Sequence, residues 1–277
     1  MFFFLIIFLF PFFFKKVKQE ENFDKEESSI IIDYDDDGIE YKIIYKEIHY
    51  YCYKESDFSY DSISNTKYII TDSGNYYICS YGPKAKKGGR GGIACGENYF
   101  QQNSELKFTL GARQVGGKGG KNCGFWENGD GFNGAGFSMV EHKNGLFMVV
   151  AGGGGGDSES GNKGGDAEKD GEGQYNGKGA TSLEGGKGGE PKNTIENGAS
   201  YSGGSGFSSS KTGKYCGGGG GSGYFGGGAG DYGNKGADGG GGGGSNFCQA
   251  SNCSYRINNE TDYSCIKIYN IKKERIN

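Results

Sequence analysis

The chain has 277 residues, of which 34% are hydrophobic and 58 are glycine, and its formal net charge is −4. This charge excludes a strong binder of nucleic acid or of an anionic membrane, because such binders carry a basic field that attracts polyanions. Collagen is also excluded, since the glycines follow no strict three-residue period and the chain contains only three prolines. The length allows one or two domains, and the glycine content requires an unusual core.

The chain begins with an apolar segment. Residues 2–14 are almost purely apolar, and Lys15, Lys16 and Lys18 follow them. The run is shorter than the about 20 residues that a bilayer-spanning helix needs, and it has the length of a signal-peptide hydrophobic region. We therefore predict that residues 1–18 are a signal peptide. A retained short anchor and a wrongly assigned start codon are the alternatives, because no basic residue precedes the run and no small-residue cleavage site follows it.

Cysteine usage points to an oxidising compartment. All eight cysteines follow the leader, and an even number suits a disulfide framework. Two N-glycosylation sequons, at Asn252 and Asn259, lie near the C-terminal cysteines. We predict a secreted or cell-surface protein whose cysteines form disulfides rather than a metal site; they are Cys52, Cys79, Cys95, Cys123, Cys216, Cys248, Cys253 and Cys265. By order along the sheet, we expect Cys95 to pair with Cys123 and Cys253 to pair with Cys265.

Composition divides the chain after the leader. Residues 19–65 form an N-terminal β-rich segment, residues 66–269 form a glycine-rich domain, and residues 270–277 form a polar tail. Short alternating or apolar runs bounded by turn residues predict a mostly β fold, and no amphipathic helix is predicted. The expected strands lie at residues 39–45, 48–53, 75–81, 106–110, 145–151 and 264–269.

Of the 58 glycines, 57 lie in residues 74–245, partly as unbroken runs at residues 152–156, 217–221, 226–228 and 239–244. An ordered glycine costs roughly 0.5–1 kcal/mol more than alanine in backbone entropy. The region therefore either stays disordered as a linker or uses a close backbone packing that only glycine permits.

Three features favour an ordered glycine region. The apolar run at residues 146–151 leads directly into glycines, Cys216 abuts another run, and aromatic residues recur between the runs. These aromatic residues are Phe207, Tyr224, Phe225 and Tyr232. The polar interruptions at residues 157–173 and 185–197 are expected to be disordered, mobile loops.

Several segments follow one another in a specific order. They are GNYYICSYG at residues 74–82, GGRGG at 88–92, the strand at 106–110 with Gly111, GAGF at 134–137, LFMVVAGGGGG at 146–156, and the glycines of 217–228 and 239–244. In this order the chain resembles the glycine-rich domain in the extracellular part of the receptor tyrosine kinases anaplastic lymphoma kinase and leukocyte tyrosine kinase. The most specific segment is the strand that leads into five glycines. The resemblance covers about residues 66–269, some three quarters of the chain.

The resemblance implies a fold and a role. The fold is a β-sandwich combined with a bundle of left-handed polyglycine helices that are hydrogen-bonded side by side. The role is to bind protein ligands outside the cell, and in the receptors the signal passes to an intracellular kinase domain, which this chain lacks. The residues that contact ligand vary within the family, so the resemblance assigns no ligand-binding residue here.

No catalytic, cofactor-binding or metal-binding residue is predicted. GxGxxG patterns are expected by chance in so glycine-rich a chain, and P-loop and kinase motifs are absent. Residues 33–38 imitate the start of an EF-hand calcium loop, but Ile44 occupies the position that requires glutamate, so a solvated acidic turn is the preferred interpretation. His49 and His142 lie outside any recognisable motif.

A basic cluster lies beside the GGRGG segment. It consists of Lys84, Lys86, Lys87 and Arg90. The cluster is interpreted as a solvated loop, and the alternative is an electrostatic contact for an acidic partner.

The preferred hypothesis is an extracellular recognition module that binds a protein ligand and has no enzyme activity of its own. One alternative is a self-associating structural coat or wall protein, since glycine with tyrosine and phenylalanine suits such material. Another is the N-terminal part of a receptor tyrosine kinase. No cofactor and no nucleic acid partner are expected, and membrane attachment is expected only through an uncleaved leader.

Overall fold

The structure is a computed structural model. It describes residues 28–34, 40–53, 63–119, 132–158, 161–190, 196–206, 216–231 and 238–275. The predicted leader, most of the acidic turn, Cys123, Phe207 and Tyr232 lie outside the described residues. The described part is mostly β, consists of two antiparallel sheets and a glycine-rich region, and contains no helix. It therefore holds no helix of the length and apolarity that a membrane crossing requires.

The described residues form eleven strands. They are β1 (Ser28–Tyr34), β2 (Glu40–Cys52), β3 (Ile63–Ile69), β4 (Gly74–Tyr81), β5 (Gly92–Phe100), β6 (Glu105–Gly111), β7 (Ser138–His142), β8 (Met148–Ala151), β9 (Phe247–Gln249), β10 (Ser251–Ile257) and β11 (Cys265–Arg275). One sheet has six strands in the order β1-β2-β11-β4-β5-β10, and the other has five in the order β3-β6-β7-β8-β9. Strands from the N-terminal segment, the glycine-rich domain and the tail thus share the first sheet.

The two sheets share one hydrophobic core, and together they are called the sheet body below. In β6, Leu106, Phe108 and Leu110 are buried, as their alternation predicts. The facing six-stranded sheet contributes Tyr76 and Ile78 of β4 to the same cluster. A fully buried side chain of this size contributes about 1.5–3 kcal/mol, so these layers stabilise the sheet body by ordinary side-chain burial.

The structure confirms most of the predicted strands and corrects their bounds. The runs at 39–45 and 48–53 belong to one long strand, β2, in which an irregularity in the pairing with β11 leaves Ile48 without a register partner. Strand β8 begins at Met148, because the preceding residues form a turn in which Gly145 has a φ of 72°. Strands β1, β3, β5, β7, β9 and β10 were not predicted.

The remaining glycine-rich segments pack together beside the sheets. They are called the glycine body, defined as the described residues of 82–91, 116–119, 132–136, 152–206, 216–231 and 238–244. Their backbone amides donate to carbonyls of other segments: Gly155 to Gly165 over 2.9 Å, Gly165 to Gly241 over 2.8 Å, and Gly241 to Gly156 over 2.9 Å. Buried backbone groups must be paired, and here lateral bonds between segments replace the ladders of helices and sheets.

The contacts of residues 239–244 repeat every three residues. A Cβ built on Gly241 would lie 2.1 Å from the carbonyl oxygen of Gly219, and one built on Gly244 would lie 2.0 Å from that of Ser222, three residues further along the neighbour. The same step relates the other two neighbours: Gly240 and Gly243 face Lys163 and Asp166, and Gly239 and Gly242 face Tyr175 and Lys178. Successive residues therefore face three neighbouring segments in rotation.

Residues 152–156 show the same step with the opposite direction. Gly152 faces the carbonyl of Gly244, and Gly155 faces that of Gly241, so the two segments are antiparallel. Among the described glycines, positive φ occurs only at Gly88, Gly145, Gly161 and Gly173, none of which lies in the long runs. Glycine is required in the runs because a Cβ would overlap neighbouring backbone, and a left-handed φ plays no part there.

The polar interruptions differ from the mobile loops that we expected. Within the described residues of these two interruptions, Gly164, Gly171 and Gly186 are buried. The Gly186 amide donates to the carbonyl of Gly226 over 2.9 Å. The charged residues between these glycines point to solvent while the glycines pack inward, so the segments form the outer layer of the glycine body. The buried face of these segments was not predicted, because charged and polar residues separate its glycines in the sequence.

Disulfides connect the strands, but not in the expected pairs. Cys52 is bonded to Cys265, Cys79 to Cys95, and Cys248 to Cys253. The expected pairs Cys95–Cys123 and Cys253–Cys265 are therefore wrong. The physical reason is register: Cys52 lies opposite Cys265 in the β2–β11 ladder, and Cys79 lies opposite Cys95 in the β4–β5 ladder. Cys216 is also disulfide-bonded.

Candidate recognition surface

The basic cluster predicted from the sequence lies on the connection between β4 and β5. The Gly82 amide donates to the carbonyl of Gly92 over 2.8 Å, and the Ala85 amide donates to that of Gly89 over 3.0 Å. Ala85 is fully buried, whereas Lys86 and Lys87 on its C-terminal side are exposed. The Gly89 amide donates to the carbonyl of Gly155 over 2.9 Å, so the rest of the glycine body holds this backbone and leaves the lysines on the surface.

Arg90 forms an ion pair with Asp166 of the same chain. Its guanidinium and its backbone amide both bind the carboxylate of Asp166, with Nη2 at 2.6 Å from Oδ2 and the amide nitrogen at 2.7 Å from Oδ1. Partial burial acts to raise the pKa of Asp166, but the hydrogen bonds and charge of Arg90 outweigh it and lower that pKa below its ordinary value. The pair fastens the β4–β5 connection to the outer layer of the glycine body.

Lys86 and Lys87 line a pocket of about 250 Å³. Gln114, Phe132 and Asn133 complete its wall. The Lys87 ammonium lies 4.7 Å from the centre of the Phe132 ring, a distance typical of a cation–π contact. The Asn133 side chain is fixed, because its Nδ2 donates to the carbonyl of Gln114 over 3.2 Å. The pocket wall thus combines two lysines with an apolar ring, and hydrogen bonds within the chain hold the Asn133 amide at both ends.

A second, more open groove of about 440 Å³ also borders the connection. Lys84, Arg90 and residues 258–263, the loop between β10 and β11, line it. The buried side chain of Asn258 shapes this loop, since its Nδ2 donates to the carbonyl of Gly82 and its Oδ1 accepts from the amides of Glu260 and Thr261. Apart from the sequon at Asn259, loop residues 258–263 were not identified as functional candidates from the sequence, because the rest of this polar turn carries no motif.

The acidic residues of the groove are held by basic partners. Glu260 binds Arg256 at 2.7 Å and Lys267 at 3.4 Å. Partial burial acts to raise the pKa of Glu260, but hydrogen bonds and charges from these two residues lower it overall. Asp262 lies 3.6 Å from Arg113. The groove is thus a network of ion pairs, whereas the Lys86–Lys87 pocket has a basic wall.

The two sequons lie in different surroundings. Asn252 is exposed in β10, adjacent to the cystine of Cys253, and its Nδ2 donates to Glu97 over 2.8 Å. Asn259 is exposed in the groove loop, where its Oδ1 accepts a hydrogen bond from Arg90. Both asparagines are therefore on the surface, as glycosylation requires.

The two histidines have structural neighbours. The His49 ring lies 4.5 Å from the ring of Tyr68 and 6.0 Å from that of Phe108, and burial lowers the pKa of His49. His142, at the end of β7, bonds to Asn144 through Nδ1 and lies 5.6 Å from the Phe100 ring. Aromatic rings thus pack against the His49 imidazole, and Asn144 and Phe100 contact that of His142.

Acidic, histidine and cysteine side chains are not gathered into a metal centre in the described part of the chain, where no group of three or more such side chains could hold an ion. The acidic turn lies mostly outside that part. The geometry as described offers surfaces for binding: a basic pocket and an ion-paired groove.

The fold defines a mostly β, disulfide-bonded protein with a glycine-rich backbone core. Comparison with known proteins adds no relative, since no protein-family model and no curated protein matched the chain.

Proposed function

We propose that the protein is an extracellular recognition module that binds a protein ligand and carries no catalytic site in this chain. It is proposed to act like the ligand-binding region of the anaplastic lymphoma kinase and leukocyte tyrosine kinase receptors that it resembles. The disulfides support the extracellular location, because such bonds persist in oxidising compartments. The observation that carries the proposal is the glycine body, which fixes the Lys86–Lys87 pocket from behind.

We further propose that the glycine body is a bundle of polyglycine helices. Such a helix has about three residues per turn and no internal hydrogen bonds, so its amides and carbonyls must bond to neighbours. The three-residue step in the contacts of residues 239–244 and the lateral bonds between segments support this proposal. The bundle is the element that distinguishes the resembled family from an ordinary sandwich.

The direction of the glycine contacts favours a module over a coat or wall protein. A self-associating glycine-rich material needs backbone groups that are available to other copies. Here the long runs are buried, and their amides are already paired within one chain. Charged residues of the outer layer cover them, for example Lys163, Lys169 and Glu172. The chain is therefore expected to be soluble as a monomer or small oligomer.

The ligand is proposed to present acidic groups to the Lys86–Lys87 pocket. The test uses fluorescently labelled secreted protein and cells of the species from which it comes. Saturable binding that unlabelled protein competes is expected, and the K86E/K87E variant is expected to weaken it at least tenfold, because charge reversal at a contact surface costs about 1.4 kcal/mol or more.

The matched control is K163E/K187E, which places the same charge change on two exposed lysines of the outer layer, away from the pocket. It should bind as the wild type does. Equal binding by K86E/K87E would reject the pocket as the contact, and the absence of any saturable binding would reject the recognition function. Large insoluble particles of disulfide-intact protein would support the coat alternative instead.

A further inference from the structure

We propose that Asn259, and not Asn252, is the N-glycosylated residue of this protein. The inference rests on the proposed secretory route, because sequons are modified in the lumen of that route. Both sequons satisfy the Asn-x-Ser/Thr pattern, so the sequence alone does not distinguish them. The surroundings of the two side chains do.

The Asn259 amide is presented with its nitrogen available. Its residue is exposed, and its Oδ1 accepts a hydrogen bond from the guanidinium of Arg90. The oxygen is thereby occupied, whereas Nδ2, the atom that receives the sugar, makes no hydrogen bond to the described part of the chain. The sequon belongs to the loop of residues 258–263, which contains no cysteine and is held by hydrogen bonds and ion pairs; these break more readily than a covalent ring, so a transferase can draw this loop into an extended conformation.

Asn252 is held in three ways. Its Nδ2 already donates to Glu97. Its backbone has a φ of 49°, in the left-handed region, within an irregularity of the β10–β5 pairing. The middle residue of its sequon, Cys253, is bonded to Cys248, only five positions earlier. A ring this small prevents the asparagine and the hydroxyl of Ser254 from extending together into an enzyme site.

The reaction transfers an oligosaccharide from a lipid-pyrophosphate donor. The Nδ2 atom of Asn259 attacks C1 of the first sugar, so that an N–C bond forms and the C–O bond to the pyrophosphate breaks. The amide loses one proton, and the lipid pyrophosphate leaves with the electron pair of the broken bond. No oxidant or reductant takes part.

A glycan at this position has a consequence for recognition. Asn259 is part of the wall of the groove that Lys84 and Arg90 also line. A bulky sugar there obstructs the groove to a protein ligand and leaves the Lys86–Lys87 pocket as the open basic site. The proposed contact surface and the groove that holds the glycan are therefore lined by different residues of one chain segment.

The test expresses the chain from residue 19 with a heterologous signal peptide in a eukaryotic secretory host. This removes any dependence on the chain's own leader. The secreted, disulfide-intact protein is treated with peptide-N-glycosidase in ¹⁸O water and mapped by peptide mass spectrometry. The ¹⁸O label is expected at Asn259 and not at Asn252. T261A should abolish the glycan, and S254A should leave the mass of the glycoprotein otherwise unchanged.

A second variant tests the cause. The double substitution C248S/C253S opens the small ring and keeps a sequon, Asn-Ser-Ser, so Asn252 should gain a glycan even if this variant folds poorly. Labelling of Asn252 in the disulfide-intact wild type, lack of label at Asn259, or no gain in C248S/C253S would each overturn the inference. Failure of the native leader to direct secretion, measured separately with the full chain from Met1, would count against the proposed function alone.

Discussion

The sheet body and the glycine body solve the same problem of filling an interior with opposite materials. In the sheet body, large side chains such as Phe108 and Ile266 fill the space between the two sheets. In the glycine body, the interior of residues 239–244 is backbone on every side, and hydrogen bonds run laterally between segments. One body depends on the presence of side chains and the other depends on their absence.

This difference predicts opposite responses to the same kind of change in volume. Removing carbon atoms from the sheet body leaves a cavity, whereas adding one methyl group to the glycine body forces backbone segments apart. At most positions in the glycine runs, the atoms nearest to an added Cβ are backbone carbonyl oxygens. These atoms cannot move aside as the end of a flexible side chain can. We therefore expect the glycine body to tolerate a change in side-chain volume less well than the sheet body does.

The largest expected effect comes from three alanines in one glycine run. Cβ atoms at Gly241, Gly242 and Gly243 would lie 2.0–2.1 Å from carbonyl oxygens of three different segments. Overpacking of this kind costs about 3 kcal/mol or more at each site, and the total is comparable with the about 5–15 kcal/mol that stabilise a typical protein. We expect G241A/G242A/G243A to fail to fold, measured by secreted yield and circular dichroism.

The control for this variant is G74A. A Cβ on Gly74 would meet its nearest atoms at 3.5 Å and 3.8 Å, which is ordinary contact. Its free energy of unfolding should stay within about 0.5 kcal/mol of the wild type. A triple variant as stable as G74A would show that the runs do not pack as described.

The disulfide that joins the two ends of the sheet body should have the next largest effect. The Cys52–Cys265 bond spans 213 residues, whereas Cys248–Cys253 spans five. Loop-closure entropy in the unfolded chain predicts a loss of up to about 5 kcal/mol for C52A/C265A and about 2 kcal/mol for C248A/C253A. Denaturant unfolding of both double variants measures the difference, and equal losses would contradict this account.

A cavity in the sheet body should cost a similar or smaller amount. Leu110 is 1% exposed within the shared core. L110A is expected to lose about 2–5 kcal/mol of unfolding free energy, measured in denaturant. L146A, at a position that is 71% exposed in the turn before β8, should change it by less than about 0.5 kcal/mol. Similar losses in L110A and L146A would argue against the shared core.

The smallest expected effect is a pH dependence of the free energy of unfolding that arises from the Arg90–Asp166 ion pair. Because Arg90 lowers the pKa of Asp166 in the folded state, the pair stabilises the protein above the ordinary aspartate pKa of 3.8 and this contribution is lost as the pH falls through the lower folded pKa. The pair is partly exposed, so its contribution is about 0.5–1 kcal/mol. D166N should be less stable than the wild type at pH 7, and the difference should shrink as the pH falls below 3.8.

The sequence predicted the sheet body better than it predicted the glycine body. The alternation of Leu106, Phe108 and Leu110 fixes a strand face by itself, and β6 was predicted correctly. Strand β5 was missed because its sequence, GIACGENYF, breaks that alternation with glycine and polar residues. The disulfide pairs were wrong for a related reason, since they depend on which strands are neighbours, and β2 pairs with a strand more than two hundred residues away.

The glycine body was predicted to be ordered, but its outer layer was assigned to mobile loops. A signal was present there: the buried glycines Gly186 and Gly189 are three positions apart, with the exposed Lys187 between them, and they face the carbonyls of Lys178 and Tyr175 in one neighbouring segment. This spacing is the period at which the segment returns to the same neighbour. Among the sites, the basic cluster was noticed, but the commitment of Arg90 to Asp166 depends on a contact across 76 positions.

Hydrogen exchange of the backbone amides of residues 239–244, measured on native secreted protein, tests the central claim most directly. These amides are buried, and each of those at Gly239, Gly240, Gly241, Gly242, Gly243 and Gly244 donates to a carbonyl of another segment. We expect them to exchange as slowly as the amides of the central strands β4 and β11. Exchange at the rate of an unstructured glycine peptide, while β4 and β11 stay protected, would contradict a folded interior made of backbone.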